Sequence, residues 1–242
     1  MATKIAAKSV RVYLDKYNLS GDLNATDQAF NVETPLVTCF SNEGPRRVEG
    51  NYDTEDNDLG FFDGDAGAHD AILAAIVGDG IDHYLGKLFG TTEGDTAYEK
   101  IVRIDGQPRS GGLGGAVLLN FSSKGSGGAY RGVILRSATV TGAGNGTGQN
   151  LGATVSGDEF AVTFRVLSFT GTNITLKVQE SSDDGGGDAY ADIASLTSGA
   201  LTAIGVVRVS TTAATEAWKR LNVSGTFTSA LILVTCGTVA GT

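Results

Sequence analysis

Apolar residues recur along this chain in two rhythms. Over most of its length they alternate with polar ones in short runs, the period of a strand with one buried face. Val10-Arg11-Val12-Tyr13-Leu14 sets Val10, Val12 and Leu14 on one side and reads as a first strand. Further strands are expected over residues 35–40, 81–89, 98–104, 116–121 and 130–135, and then over 160–169, 174–180, 203–210, 218–223 and 231–236. Within 174–180, Ile174, Leu176 and Val178 share one face while Thr175, Lys177 and Gln179 share the other, the pattern of a half-buried antiparallel strand. The second rhythm occurs once. Ile72, Leu73, Ile76 and Val77 make an apolar stripe with helical spacing, so a short helix is expected over about residues 68–77. Asp65 or Asp70 is expected to cap its start, and Gly78 to end it in the left-handed conformation.

Thirty-five glycines and three prolines in 242 residues fall mostly between the apolar runs, where they fit tight turns between many strands. The fold class expected is therefore all-β, mainly strands with one short helix covering a sheet or barrel. From Thr139 to Gly152 the chain is almost entirely Gly, Thr, Ala and Asn, and beyond it charge is sparse. That shift divides the chain into residues 1–137, a glycine-rich linker over 138–150, and a small β-sandwich over 151–242.

The formal net charge of −9 is spread along the chain, which speaks against a basic face for nucleic acid. Cys39 and Cys236 both follow Leu-Val-Thr and are expected to be free, buried thiols. No secretory leader is expected from residues 1–8, and there is no apolar run long enough to span a membrane.

Candidate chemistry is thin. Counted from Asp63, a calcium loop would need Gly at its sixth position and Glu at its twelfth; the residues there are Ala68 and Ala74. Asp183-Asp184-Gly185-Gly186-Gly187-Asp188 has oxygen ligands for a cation but reads more simply as a hairpin loop. His69 and His83 have no partners at metal-ligand spacing, and Gly142 to Gly148 lacks the Lys-Ser/Thr of a phosphate loop. No catalytic, cofactor or metal residue is expected. The informative polar feature is a long stretch over residues 41–58, expected as a loop, in which Arg46 and Arg47 precede Asp53, Glu55, Asp56 and Asp58. Opposite charges on one excursion suit head-to-tail contact between copies, which builds rings and filaments.

The run from Tyr13 to Asn24 (YLDKYNLSGDLN) and the run from Leu59 to Leu73 (LGFFDGDAGAHDAIL) resemble the tail tube, or major tail, proteins of long-tailed bacteriophages, as does the order of elements over residues 5–136. The stretch from Leu167 to Asp184 and that from Leu221 to Phe227 resemble β-sandwich modules of phage virion proteins. The resemblance implies a structural virion protein whose hexameric rings stack into a hollow tail, assembled in the host cytoplasm. It implies a tail-tube-like β-sandwich or barrel with the helix outside it, and an inter-ring loop at 41–58. Partners would be copies of itself and other tail proteins (tape measure, terminator and tip), with DNA passing an acidic lumen without specific binding. Fusion of two units also leaves open a trimer of two-domain chains. Alternatives are a capsid decoration protein, or an adsorption module binding sugars through Trp218 and Tyr190.

Overall fold

The computed structural model describes residues 9–21, 23–26, 29–32, 36–37, 46–47, 52–61, 69–111 and 117–239. In chain order the strands are β1 (Val10–Leu14), β2 (Tyr17–Asn18), β3 (Leu23–Thr26), β4 (Ala29–Val32), β5 (Leu36–Val37), β6 (Arg46–Arg47) and β7 (Tyr52–Phe61). Helix α1 (His69–Ile76) follows, then β8 (His83–Phe89), β9 (Thr96–Gly106), β10 (Arg109–Ser110), β11 (Leu118–Gly125) and β12 (Tyr130–Val140). The chain continues with β13 (Gly144–Asn145), β14 (Gln149–Asn150), β15 (Phe160–Ser181), β16 (Ala191–Leu201), β17 (Gly205–Thr211) and β18 (Trp218–Val239). The fold is all-β with one short helix, as the alternation and the glycine turns require.

The spine of the main sheet runs β16-β15-β18-β12-β9-β11-β7-β3, with β8 and β1 continuing from β9. Its longest ladder joins β15 to β18, from Phe160 opposite Thr238 to Ser181 opposite Trp218, with register shifts between Val166 and Asn173. These two strands carry the chain from one part of the molecule to the other. The C-terminal half of β18 pairs as well with the whole of β12, Tyr130 opposite Val239 through Val140 opposite Ala230. Residue 137 thus lies inside a strand, and within 138–150 both β13 and β14 bond to β18. The segments read as separate strands at 160–169 and 174–180 are one strand, and so are those at 218–223 and 231–236. Strand β16, half of it exposed, has no alternation that announces it.

The two largest of four apolar clusters among the described residues fill most of the interior. One gathers Val12, Leu14, Leu85, Val102 and Phe121 under α1, which buries Ile72 and Leu73 against them. The other runs along β15 and β18, where Phe164, Leu176, Leu221 and Val234 pack with Leu135 of β12. α1 ends as the stripe and Gly78 predict: Gly78 has φ +74°, and its N–H donates to Ile104 O at 3.3 Å. Asp70 lies within the first turn rather than at the cap, because the helix begins at His69; Asp65 is outside the described residues.

Candidate functional site

The acidic run is a strand, and its period of two divides it. Strand β7 alternates strictly from Glu55 to Gly60: Glu55, Asn57 and Leu59 are exposed, while Asp56, Asp58 and Gly60 are buried. The long loop expected to reach Asp58 therefore gives way to β7 by Tyr52. Strand β11 lies opposite, with Lys124 facing Glu55, Ser123 facing Asp56 and Phe121 facing Asp58. On the outer face Glu55 neighbours an exposed Lys124, which sits 3.6 Å from Asp105.

On the inner face, Asp56 and Asp58 meet two lysines from β8 and β9, which lie beyond β11 in the sheet. Lys87 of β8 places Nζ 2.8 Å from Asp56 Oδ1 and 2.9 Å from Asp58 Oδ1. Its approach to Asp56 Oδ1 is close but out of line for a hydrogen bond, and that oxygen has no hydrogen-bond donor. Lys100 of β9 touches Asp56 Oδ2, and Thr26 Oγ1 donates to Asp58 Oδ1. All four charged side chains are at most 1% exposed. Burial pushes the Asp58 carboxyl above the usual carboxylate range despite the Lys87 charge, and burial lowers the Lys100 ammonium despite Asp56.

A second buried pair lies on the other face of β9. Arg165 Nη1 and Nη2 donate to Glu99 Oε1 at 2.5 Å and Oε2 at 2.8 Å. The same guanidinium donates to Asp15 O at 2.7 Å and Tyr84 O at 3.1 Å, and Thr235 Oγ1 donates to Glu99 at 2.8 Å. Strand β15 is not a ladder neighbour of β8 or β9, so these bonds record the sheet folding back on itself. Beside them His83 sits between Asp15 (Nδ1 to Oδ2, 2.7 Å) and Asp79 (Nε2 to Oδ2, 3.1 Å).

Arg46 and Arg47 form β6, paired among the described residues with β5, Leu36 opposite Arg47 and Val37 opposite Arg46. They stand on a small two-stranded sheet apart from the main one. Asp53 lies in β7 opposite Asn31 of β4. The structure thus brings Asp56 and Asp58 together inside the subunit and leaves Glu55 on its surface. Sequence reasoning missed Lys87, Lys100, Glu99 and Arg165. The signal was present: Glu99-Lys100 sits between apolar residues of one strand, so the two charges must face opposite sides of a sheet buried on both.

The Asp183 to Asp188 loop folds around its own amides. Gly187 N–H and Asp188 N–H donate to Asp183 at 2.5 and 3.1 Å, and Ser182 N–H donates to Asp188 at 2.8 Å. Among the described residues no group of three or more His, Cys, Asp or Glu side chains could hold a metal. Arg220 lies 4.0 Å over the Tyr190 ring, whose hydroxyl donates to Asp184; Trp218 is half-buried at the start of β18. Cys236 is a free, buried thiol, pushed up to about 12 by burial, and Cys39 is outside the described residues. No described helix is long and apolar enough to cross a membrane.

No family model matches the chain, and no curated protein matches it in sequence. Solved structures do. A chain from the virion of a native gene transfer agent particle is 20% identical at TM-score 0.43, covering 52% of this chain and 97% of that one. The SPP1 tail tube is 15% identical at TM-score 0.44, covering 53% and 78%. SPP1 Dit, described as a hub adsorption apparatus of phages infecting Gram-positive hosts, is 12% identical at TM-score 0.39, covering 95% and 98%. Likenesses this distant assign neither a family nor a role.

Proposed function

We propose that this chain is a structural subunit of a phage tail, a tail tube protein that assembles with its own copies into stacked rings of six. The observation that carries the reading is the order of elements. A first strand and its turn, an excursion holding the small β5–β6 sheet, the strand β7, then α1 and the next pair of strands follow the order that the sequence resemblance implies. Sheet edges support self-association: among the described residues β16 and β17 each pair with β15 alone, and such edges are templates for a further strand. The net charge of −9 suits a channel that repels DNA phosphates, so that duplex passes without sticking.

Contact between rings is assigned to Arg46 and Arg47 of one copy and Asp53 and Glu55 of the next. Asp56 and Asp58 are left out, since both are buried and paired within the subunit. The part of residues 151–242 left to decorate the outside of such a tube is roughly Gly171 to Gly225, because 160–166 and 231–239 are built into the same sheet as β12 and β9. Tape measure, terminator and tip proteins would meet the ends of such a tube, and the subunit would reside in the virion with no chemistry required of it.

Negative-stain electron microscopy of the purified chain at rising concentration tests the reading. Hollow tubes or stacked rings are expected. Particles that remain discrete at every concentration and associate only with capsids would replace it with a decorating role.

A further inference from the structure

The quartet of Lys87, Lys100, Asp56 and Asp58 has a chemistry that assembly does not use. Lys100 Nζ and Asp56 Oδ2 are in direct contact, on strands that are not paired with each other; β11 pairs with both and runs between them. Their surroundings are dry. Leu85 is the cross-strand partner of Lys100 and Phe121 that of Asp58, and both are buried. In such a place two opposite charges are costly, and passing one proton from ammonium to carboxylate leaves a neutral amine against a neutral acid. Burial already draws Lys100 and Asp58 toward their uncharged forms.

We propose that Lys100 and Asp56 condense into an amide, a covalent cross-link between β9 and β7 that forms within the folded chain. One Nζ proton passes to Asp56 Oδ2. The freed lone pair attacks Asp56 Cγ, forming the N–C bond and driving the carbonyl electron pair onto Oδ1. The Lys87 ammonium, 2.8 Å from Oδ1, faces the negative charge that develops there. A second Nζ proton then moves to Oδ2, the Cγ–Oδ2 bond breaks and water leaves. Oδ1 becomes the amide oxygen and the third proton stays on nitrogen. Nothing is oxidised or reduced, and no co-reactant is consumed.

Lys87 is divided between two carboxylates and remains paired with Asp58, at 2.9 Å. The product therefore buries one ion pair of this quartet where the reactant buries two. Amide formation is unfavourable in bulk water, but reacting groups held in contact reach effective molarities on the order of 10⁵ M or more. Loss of a buried charge pair adds to that drive. The cross-link would tie the strand carrying the exposed Glu55 to the centre of the sheet, so that tension on β7 is borne by a covalent bond.

The test is the mass of the full-length chain under denaturing conditions, with fragments mapped after cleavage at glutamate. The expected chain is one water lighter than its sequence, allowing for Met1, and residues 56–93 are recovered joined to residues 100–159. A K100M variant should return to full mass. A wild-type chain at full mass overturns the proposal, whether or not the variant folds. So does a water loss mapped to Asp63-Gly64, Asp79-Gly80, Asp105-Gly106 or Asp184-Gly185 with the two fragments unjoined, where an aspartyl-glycine succinimide would form instead.

Discussion

Arg165 and Glu99, 66 residues apart, meet as a doubly hydrogen-bonded pair with both side chains shut from water. Arg165 belongs to β15 and Glu99 to β9, and the same guanidinium ties down the β1–β2 turn through Asp15 O. The pair locks the returning strands onto the first half of the molecule. Removing one partner leaves a buried charge alone, which costs about 3–5 kcal/mol. E99Q or R165M should each lower the unfolding free energy by that much, seen as a lower denaturant midpoint at unchanged slope, and the double variant E99L/R165M should recover most of the loss. Single variants within experimental error of wild type would remove the pair from this role.

A chain ending at residue 150 loses Arg165 and Thr235, along with the β18 strand that pairs β12 along its whole length. It should lack cooperative unfolding and the dispersed amide spectrum of a folded β protein. A truncated chain that folds and melts cooperatively would show that the first half is self-sufficient.

Gly132 and Gly237 cross where nothing larger fits. A Cβ on Gly132 would lie 1.9 Å from Cys236 O and 2.8 Å from Gly237 Cα, both backbone. G132A should cost about 1–3 kcal/mol or more, since the ladder between β12 and β18 must part to admit it. G142A meets nothing within 4 Å and should fall within about 0.5 kcal/mol of wild type. Equal melting temperatures for the two variants would contradict the close approach.

The Asp183 to Asp188 loop should loosen in acid. Backbone N–H groups, Gly187 first for Asp183 and Ser182 for Asp188, hold both carboxyls below their ordinary range. A depressed carboxyl contributes order that is present above its unfolded value, about 3.9, and is lost as pH falls through the folded one. Protection of the Gly187 and Asp188 amides, taken relative to the intrinsic exchange rate at each pH, should therefore fall below about pH 4. In D183N the Gly187 amide should exchange quickly at neutral pH as well. A Gly187 amide whose protection does not change from neutral pH to strong acid would rule the mechanism out.

If the proposed contact between rings holds, reversing Arg46 and Arg47 to Glu would place like charges opposite Asp53 and Glu55 of the next copy. Circular dichroism should be unchanged, while tubes seen by negative stain become shorter, more so at low salt where screening is weak. Tubes of wild-type length would sink the assignment of this contact.

The sequence alone determined the class of fold, the helix and the turn that ends it. Those features are local: Ile72, Leu73 and Ile76 lie on one helical face whatever surrounds them, and Gly78 reaches φ +74° without a Cβ to clash. Alternation placed β1 to the residue, located β8 and β9 to within two residues, and found the start of β12 but ended it five residues short. It failed where neighbours decide the outcome. Residues 41–58 are polar enough to read as loop, yet Asp56 and Asp58 enter a strand's inner face because Lys87 and Lys100 wait there. Only tertiary structure supplies those partners, since the cost of burying a charge depends on what lies across the sheet, not along the chain. The same holds for Arg165 and Glu99, and for the continuity of β15 and β18 through glycines that read as breaks. Period and turn chemistry are written in neighbouring residues; which faces are covered, and by which charge, is settled only when distant strands meet.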